Sequence, residues 1–351
     1  METDAAFFSS MFGLRRNRHV EARVGDDMNP PRTESAPSWM VWAALWTVYI
    51  VWGSTYLAIR ITVETLPPFL AGGVRFMVAG ALMWVFLRIR KGKEAMRLTR
   101  SQLRSTLIIG LLLLLGGNGL VMVAEQDVPS GLASLIIAST PLWVVLYRYL
   151  ARDNISRGTL VGVGVGFIGG AVLVLPSDRP DGAPLWGIFL LVIAAASWGN
   201  GSFLSSRIDM PSDPIVSTSY QMLLGGAALA LTGIILGELG GLDVGEFSAR
   251  SIVAFSYLIL VGSLVAFTAY VWVLQHAPVS KVATYAYVNP VIAIFLGWAV
   301  LSEEITPPIF IGAGIIVASV AFIIRKESTS KAVREAVDAP SGELAGADVR
   351  T

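Results

Sequence analysis

Cysteine is absent from the 351-residue chain, and histidine occurs only at His19 and His276. No disulfide, thiolate nucleophile or thiolate metal site can therefore be built, and two imidazoles leave little for zinc chemistry. Charge is also scarce, at 15% of residues, where soluble domains carry about a quarter. The 26 Lys and Arg nearly balance the 25 Asp and Glu, so no basic field argues for a nucleic-acid partner. Apolar residues make up 54% of the chain, more than its polar residues could cover in water, so the solvent must be largely lipid. The composition predicts an all-α integral membrane protein.

A helix needs about 20 predominantly apolar residues to cross a bilayer core. Ten such runs stand between charges, Pro, Gly or Asn clusters, at 39–60, 68–89, 104–124, 128–150, 157–175, 184–206, 213–237, 250–275, 278–301 and 306–325. The short connections leave no room for an extramembrane domain. Residues 1–38, with five arginines and Pro30, Pro31 and Pro37, read as a disordered tail. Phe7, Phe8, Met11, Phe12 and Leu14 within it suggest a short interfacial helix, and Met28 is an alternative start. Residues 326–351 read as a second disordered tail. Arg88, Arg90, Lys91, Lys93, Arg97, Arg100 and Arg104 crowd one connection, whereas Glu238, Asp243 and Glu246 occupy its counterpart in the second half. The positive-inside rule then places both termini in the cytoplasm.

Self-similarity divides the chain into two copies. An offset of 146 pairs Trp52 with Trp198, Gly53 with Gly199, Pro68 with Pro214 and Gly80 with Gly226, and sets Arg75 against Gln221. An offset of 149 pairs Pro129 with Pro278 and Pro141 with Pro290, and an offset of 150 pairs Asp153 with Glu303 and Gly162 with Gly312. Five spans per copy is an odd number, so the second copy, 184–325, must enter the membrane upside down relative to the first, 39–175. Inverted repeats are an architecture of alternating-access transporters with a midplane site between the halves.

The run Trp52, Gly53, Ser54, Thr55 and Tyr56, then Leu66, Pro67, Pro68 and Phe69, then Gly73, Val74, Arg75 and Phe76 resembles the EamA family of the drug/metabolite transporter superfamily. So do the two Pro-to-Pro segments, Pro129 to Pro141 and Pro278 to Pro290, and the acidic residue opening each last hairpin. The resemblance implies a ten-helix exporter of small metabolites in the plasma (inner) membrane, with two inverted five-helix repeats around a central cavity. The family's usual Glu after the fourth helix is Glu303 in the second copy but Asp153 in the first.

Arg75, inside the second span, must face protein or water, because a charge at the bilayer centre costs about 2.5 to 3.5 kcal/mol. It is either an anion-facing group of the cavity or a structural Arg tied to Glu64, Asp127 or loop carbonyls. Gln221, its equivalent, leaves the cavity electrically lopsided. Pro141 and Pro290 free the carbonyls of Ile137 and Ala286, marking helices that line a cavity, bend during transport, or hold a static kink. Thr140 and Asn289 precede these prolines. Trp52, Tyr56 and Trp198 suit a cavity or gate, or helix packing; Asn118, Asn200, Tyr285 and Tyr287 are further intramembrane polar or aromatic candidates. Asp153 and Glu303 look like caps of the fifth and tenth spans, with Ser156 and Thr306 nearby. No Asp or Glu falls in the middle of a span, so a coupling proton would titrate a rim residue such as Glu125, Asp127 or Glu303, or the substrate itself.

Paired carboxylates, metal-spaced ligands and a nucleophile elbow are all missing from the spans, which argues against an enzyme and implies no cofactor or metal. The expected protein is a secondary transporter, an exporter of amino acids or amphipathic, drug-like compounds by alternating access. Its partners are a small solute, the bilayer and a proton as one candidate coupling ion; uniport, and a monomer or a homodimer, stay open. A membrane sensor or scaffold without transport is the alternative.

Overall fold

The computed structural model describes residues 37–174, 182–277 and 279–338. Ten membrane-directed helices follow one another: α1 (Ser38–Thr62), α2 (Pro68–Lys91), α3 (Arg100–Ala124), α4 (Ser130–Leu150), α5 (Arg157–Val174), α6 (Leu185–Ser205), α7 (Pro214–Ile235), α8 (Ala249–Leu274), α9 (Tyr285–Leu301) and α10 (Pro307–Asp338). Among the described residues there is no strand. Eight of these helices are long and apolar enough to cross a bilayer, and α9 and the apolar part of α5 are shorter. The expected tenth span ended at 325, but α10 runs on to Asp338, because Ala, Lys, Glu and Arg in 326–338 are good helix formers. The tail at 1–36 and its proposed interfacial helix lie outside the described residues, as do 339–351.

Local chemistry sets the helix ends. Pro68 and Pro214 open the equivalent helices α2 and α7 at a position where a missing N–H is harmless. Gly92 and Gly237 close them with φ of +82° and +86°, backbone that favours glycine. Ser156 caps α5 by accepting from Thr159 N–H at 3.1 Å, and Ser248 caps α8 through Ser251 N–H.

The two acidic caps expected for α5 and α10 act elsewhere. Glu303 receives the N–H groups of Ser130 (2.7 Å) and Gly131 (3.0 Å), so it caps α4 of the other half. Asp153 pairs with Arg148 and with Arg207 at the end of α6. Spacing along the chain points a carboxylate at the nearest helix, whereas the inverted packing brings a distant helix start closer.

Helix α2 packs along α7, α5 along α10, α1 against α9 and α4 against α6. Exchanging each helix with its counterpart five places on returns the same set of pairs. The Phe69 and Leu70 N–H groups, at the start of α2, donate to Glu238 just past the end of α7. Lys91, at the end of α2, pairs with Asp213 at the start of α7. These equivalent helices are therefore antiparallel, as inverted copies must be. Their backbones almost touch: a Cβ at Gly73 would lie 2.6 Å from Ala230 N, and one at Gly226 would lie 2.8 Å from Met77 N.

Gly73→Val and Gly226→Val should each lose about 1 to 3 kcal/mol through overpacking. Gly164→Val, where a Cβ meets open space, should change little. The fraction of detergent-solubilised protein that stays monodisperse after a heating series measures the difference.

Candidate substrate cavity

Between the halves lies a cavity of about 260 Å³, lined by residues of α1, α2, α3, α4, α6, α8 and α9. Helix α1 contributes a stripe at helical spacing, Trp52, Thr55, Tyr56 and Ile59. Trp52 packs edge-on against Phe267 (5.3 Å between centroids) and Tyr285 (5.3 Å), and tilted on Tyr270 at 4.9 Å. Its repeat mate Trp198 lies on α6 beside Gly117. The glycine after each Trp permits the same contact: a Cβ at Gly53 would meet Ile292 and the Asn289 carbonyl, and one at Gly199 would meet Trp143 and the Thr140 carbonyl. Each Trp-bearing helix is thereby packed against the proline-bearing helix of the opposite half.

Regular helix geometry breaks where these walls face the cavity. Helix α4 is interrupted at Ala138 and Ser139, with Pro141 just inside its second segment. Ser139 donates its hydroxyl to the Ile136 carbonyl (2.6 Å) and Thr140 donates to that of Ile137 (2.7 Å), supplying donors where α-helical N–H groups do not. In the second half the break falls at Ala283 and Thr284, between a one-turn helix, Val279–Val282, and α9, and Pro290 sits inside α9. Asn289, with its amide oriented to suit its neighbours, donates to the Tyr285 carbonyl at 3.2 Å and the Tyr49 carbonyl at 3.3 Å. Helices α3 and α8 widen into π-helix at corresponding places, Leu111–Gly119 and Leu258–Val265. Asn118, in the first of these, donates to the Leu113 carbonyl at 3.2 Å. Such π segments often mark functional positions.

Arg75 is the one charged side chain on the cavity wall among the described residues. It is buried, its Nε donates to Ser263 in the α8 π segment at 3.1 Å, and its guanidinium lies over the Phe76 ring. It is tied to neither Glu64 nor Asp127. Trp52, Tyr56, Arg75, Asn118, Pro141, Trp198, Tyr285, Asn289 and Pro290 thus come together on one cavity.

Asn200, Gln221 and Tyr287 do not line it. Asn200 stands two residues, about 200° of helix rotation, from Trp198; Tyr287 is equally displaced from Tyr285 and Asn289. Gln221 belongs to α7, which faces α2 and α3, and it donates to Ser217 at 2.9 Å. Sequence reasoning passed over Thr55 and Ile59, which the helical spacing from Trp52 could have revealed, and Phe267 and Tyr270, for which no motif stood out. It also left Glu125 at the rim, whereas that residue is fully buried.

Residues 38–175 and 185–325 each match the model of the EamA-like transporter family. The chain belongs to that family. It is 37% identical over 285 residues to the uncharacterized inner membrane transporter YedA of Escherichia coli strain K12, covering 81% of this chain and 90% of that protein. It is 26% identical over 276 residues to the uncharacterized transporter YoaV of Bacillus subtilis strain 168, covering 77% and 91%. A crystal structure of a protein with 19% identity superposes with a TM-score of 0.56 over 83% of this chain and 98% of the other, which shows a common fold.

The hydroxyl of Thr140 is the testable element of the broken wall. Thr140→Val should cost about 1 to 3 kcal/mol by orphaning the Ile137 carbonyl, while Thr140→Ser should keep most of the stability. Thermal unfolding followed by tryptophan fluorescence in one detergent distinguishes the pair.

Proposed function

We propose that this EamA-family protein is a secondary transporter that exports small metabolites across the inner membrane by alternating access. The observation that carries the reading is the cavity itself, lined by Trp52 and its repeat mate Trp198, with the glycine after each, Gly53 and Gly199, packed against the other half's proline-bearing helix. Aromatic walls and a few polar groups suit amino acids or amphipathic, drug-like solutes. The uncharacterized relatives YedA and YoaV carry transporter names, and YedA's includes the inner membrane.

Two sets of contacts tie the halves together at opposite ends. At one end Lys91 pairs with Asp213, and Asp153 with Arg207. The Arg207 hydrogen bond holds Asp153 below the usual carboxylate range. Burial pushes Asp213 up, but the Lys91 hydrogen bond and the α7 N–H groups outweigh it and hold that carboxyl low as well. At the other end Glu238 and Glu303 of the second half cap α2 and α4 of the first. Rocking of the halves about the central packing of α2 on α7 loosens one set while the other stays closed. The breaks beside Pro141 and before Pro290 supply the bending. A proton is the candidate coupling ion, with movement down the solute's own gradient as the alternative. With both termini in the cytoplasm, the Lys91 end faces inward.

Inverted membrane vesicles offered labelled amino acids and lipophilic dyes should take up at least one of them, and whether collapse of the proton gradient abolishes that uptake separates proton-driven export from movement down the solute's own gradient. Trp52→Ala and Asn289→Ala should each cut the initial rate about tenfold or more, with much smaller loss of folded protein in the membrane. Parallel loss of rate and protein would assign both residues to packing, and transport of nothing would remove the transporter reading.

A further inference from the structure

Two buried ionisable side chains, one on the cavity wall and one just past the end of α3, hold polar atoms without hydrogen-bond partners. Arg75 is 3% exposed and lines the cavity, and its Nη1 has no acceptor. Glu125 is 0% exposed, and neither carboxyl oxygen has a donor. Glu125 stands in the electrostatic reach of Arg60 and Tyr56 from α1, Arg75 from α2 and Glu303 from the connection before α10. Arg60 spends its hydrogen bond on the Glu125 backbone carbonyl rather than on the carboxyl. An unmet donor of a buried charged group costs more than the 1 to 3 kcal/mol of a neutral one, and a buried carboxylate without donors is better neutral.

The cavity has a direction. Arg75, Asn118 and Ile59 stand toward the Glu238 and Glu303 end, whereas Tyr270, Tyr285 and Ser202 stand toward the Lys91 and Asp213 end, with Trp52 between. Among the described residues no Asp or Glu lines the wall to receive a cation, and one Arg cannot balance a polyanion.

We propose that Arg75 receives the single carboxylate of a solute whose apolar or aromatic body lies on the Trp52, Tyr270 and Tyr285 cluster, and that Glu125 competes with that carboxylate for the same guanidinium. This rests on the cavity being the solute site. When the solute is bound, its carboxylate neutralises Arg75, and Glu125 keeps its proton. When the cavity is empty, Arg75 turns to Glu125, which releases that proton to water. Solute and proton therefore bind together and cross together as a pair with the charge of the neutral acid, so export runs down the solute's own gradient and an inward proton gradient opposes it.

The test is calorimetric titration of the full chain in lipid nanodiscs with benzoate, benzylamine and benzyl alcohol, in two buffers of different ionisation enthalpy. Benzoate should bind about tenfold or more tighter than benzylamine, with uptake of about one proton, and its affinity should fall by up to about tenfold per pH unit once Glu125 ionises in the empty protein. Arg75→Gln should lose about tenfold or more in benzoate affinity while binding benzyl alcohol as before, and Glu125→Gln should bind benzoate without proton uptake or pH dependence. If Arg75→Gln does not fold, Arg75→Lys, which lacks the two-pronged fork, should weaken benzoate selectively. No benzoate binding to the wild type, equal binding of benzylamine, or benzoate binding indifferent to the Arg75 substitution overturns the solute class. Proton uptake that persists in Glu125→Gln overturns the competition. Benzoate bound by the protein but moved by no proteoliposome would defeat the transport reading and leave the site assignment standing.

Discussion

Within hydrocarbon every backbone N–H and C=O must find its partner inside the protein, and an unbroken α-helix is the simplest way to meet that demand. A wall made only of such helices offers a solute nothing but side chains. Among the described residues the four helices that depart from α geometry, α3, α4, α8 and α9, all line the cavity, and in three of them a side chain near the departure donates to a backbone carbonyl. Ser139 and Thr140 satisfy the carbonyls at the break in α4, the Asn289 amide reaches the Tyr285 carbonyl, and Asn118 folds back on the Leu113 carbonyl in the π segment. The helices α5, α7 and α10, which stay away from the cavity, keep regular geometry.

The halves are equivalent in packing and unlike in chemistry. Gly53 and Gly199 let each Trp-bearing helix approach the opposite half in the same way. The polar residue before each proline is Thr140 in one half and Asn289 in the other, and the break adjoins Pro141 but precedes Pro290 by more than a turn. Arg75 projects onto the cavity while Gln221 stays with Ser217. A shared frame thus holds an asymmetric interior, as a site with one preferred solute orientation requires.

Most of the fold could be read from the residues, because a span is a composition of about 20 consecutive residues and the repeat is a spacing. Both are local or periodic properties. Much of the cavity could also be read, since Trp52, Tyr56, Arg75, Asn118, Trp198, Tyr285 and Asn289 are costly or conspicuous in lipid. Three features escaped. The two π segments lie in leucine-rich runs, LLLLLGGNG and LILVGSLV, whose apolar character is the same in either helix type. Glu125 follows the last turn of α3, where an acid normally meets water, and nothing in the local sequence announces its burial, which brings its backbone carbonyl to Arg60 of α1. Glu303 caps a helix more than 170 residues away in sequence, a contact that only the inverted assembly creates.

The fit of α2 on α7 reaches further. A Cβ at Gly80 would lie 3.0 Å from the Ser219 carbonyl oxygen, and a Cβ at Gly226 would lie 3.0 Å from that of Gly73, so each surface is the other turned over. A five-helix polypeptide carrying one such surface is its own mate, provided that copies enter the bilayer both ways up. Joining two copies end to end removes the need for that ambiguity of insertion: the second orientation becomes fixed by the chain, and the loop charges are free to diverge to enforce it. Only after such fusion can one position hold Arg and its twin Gln, since in a pair of identical subunits any change at one position appears in both.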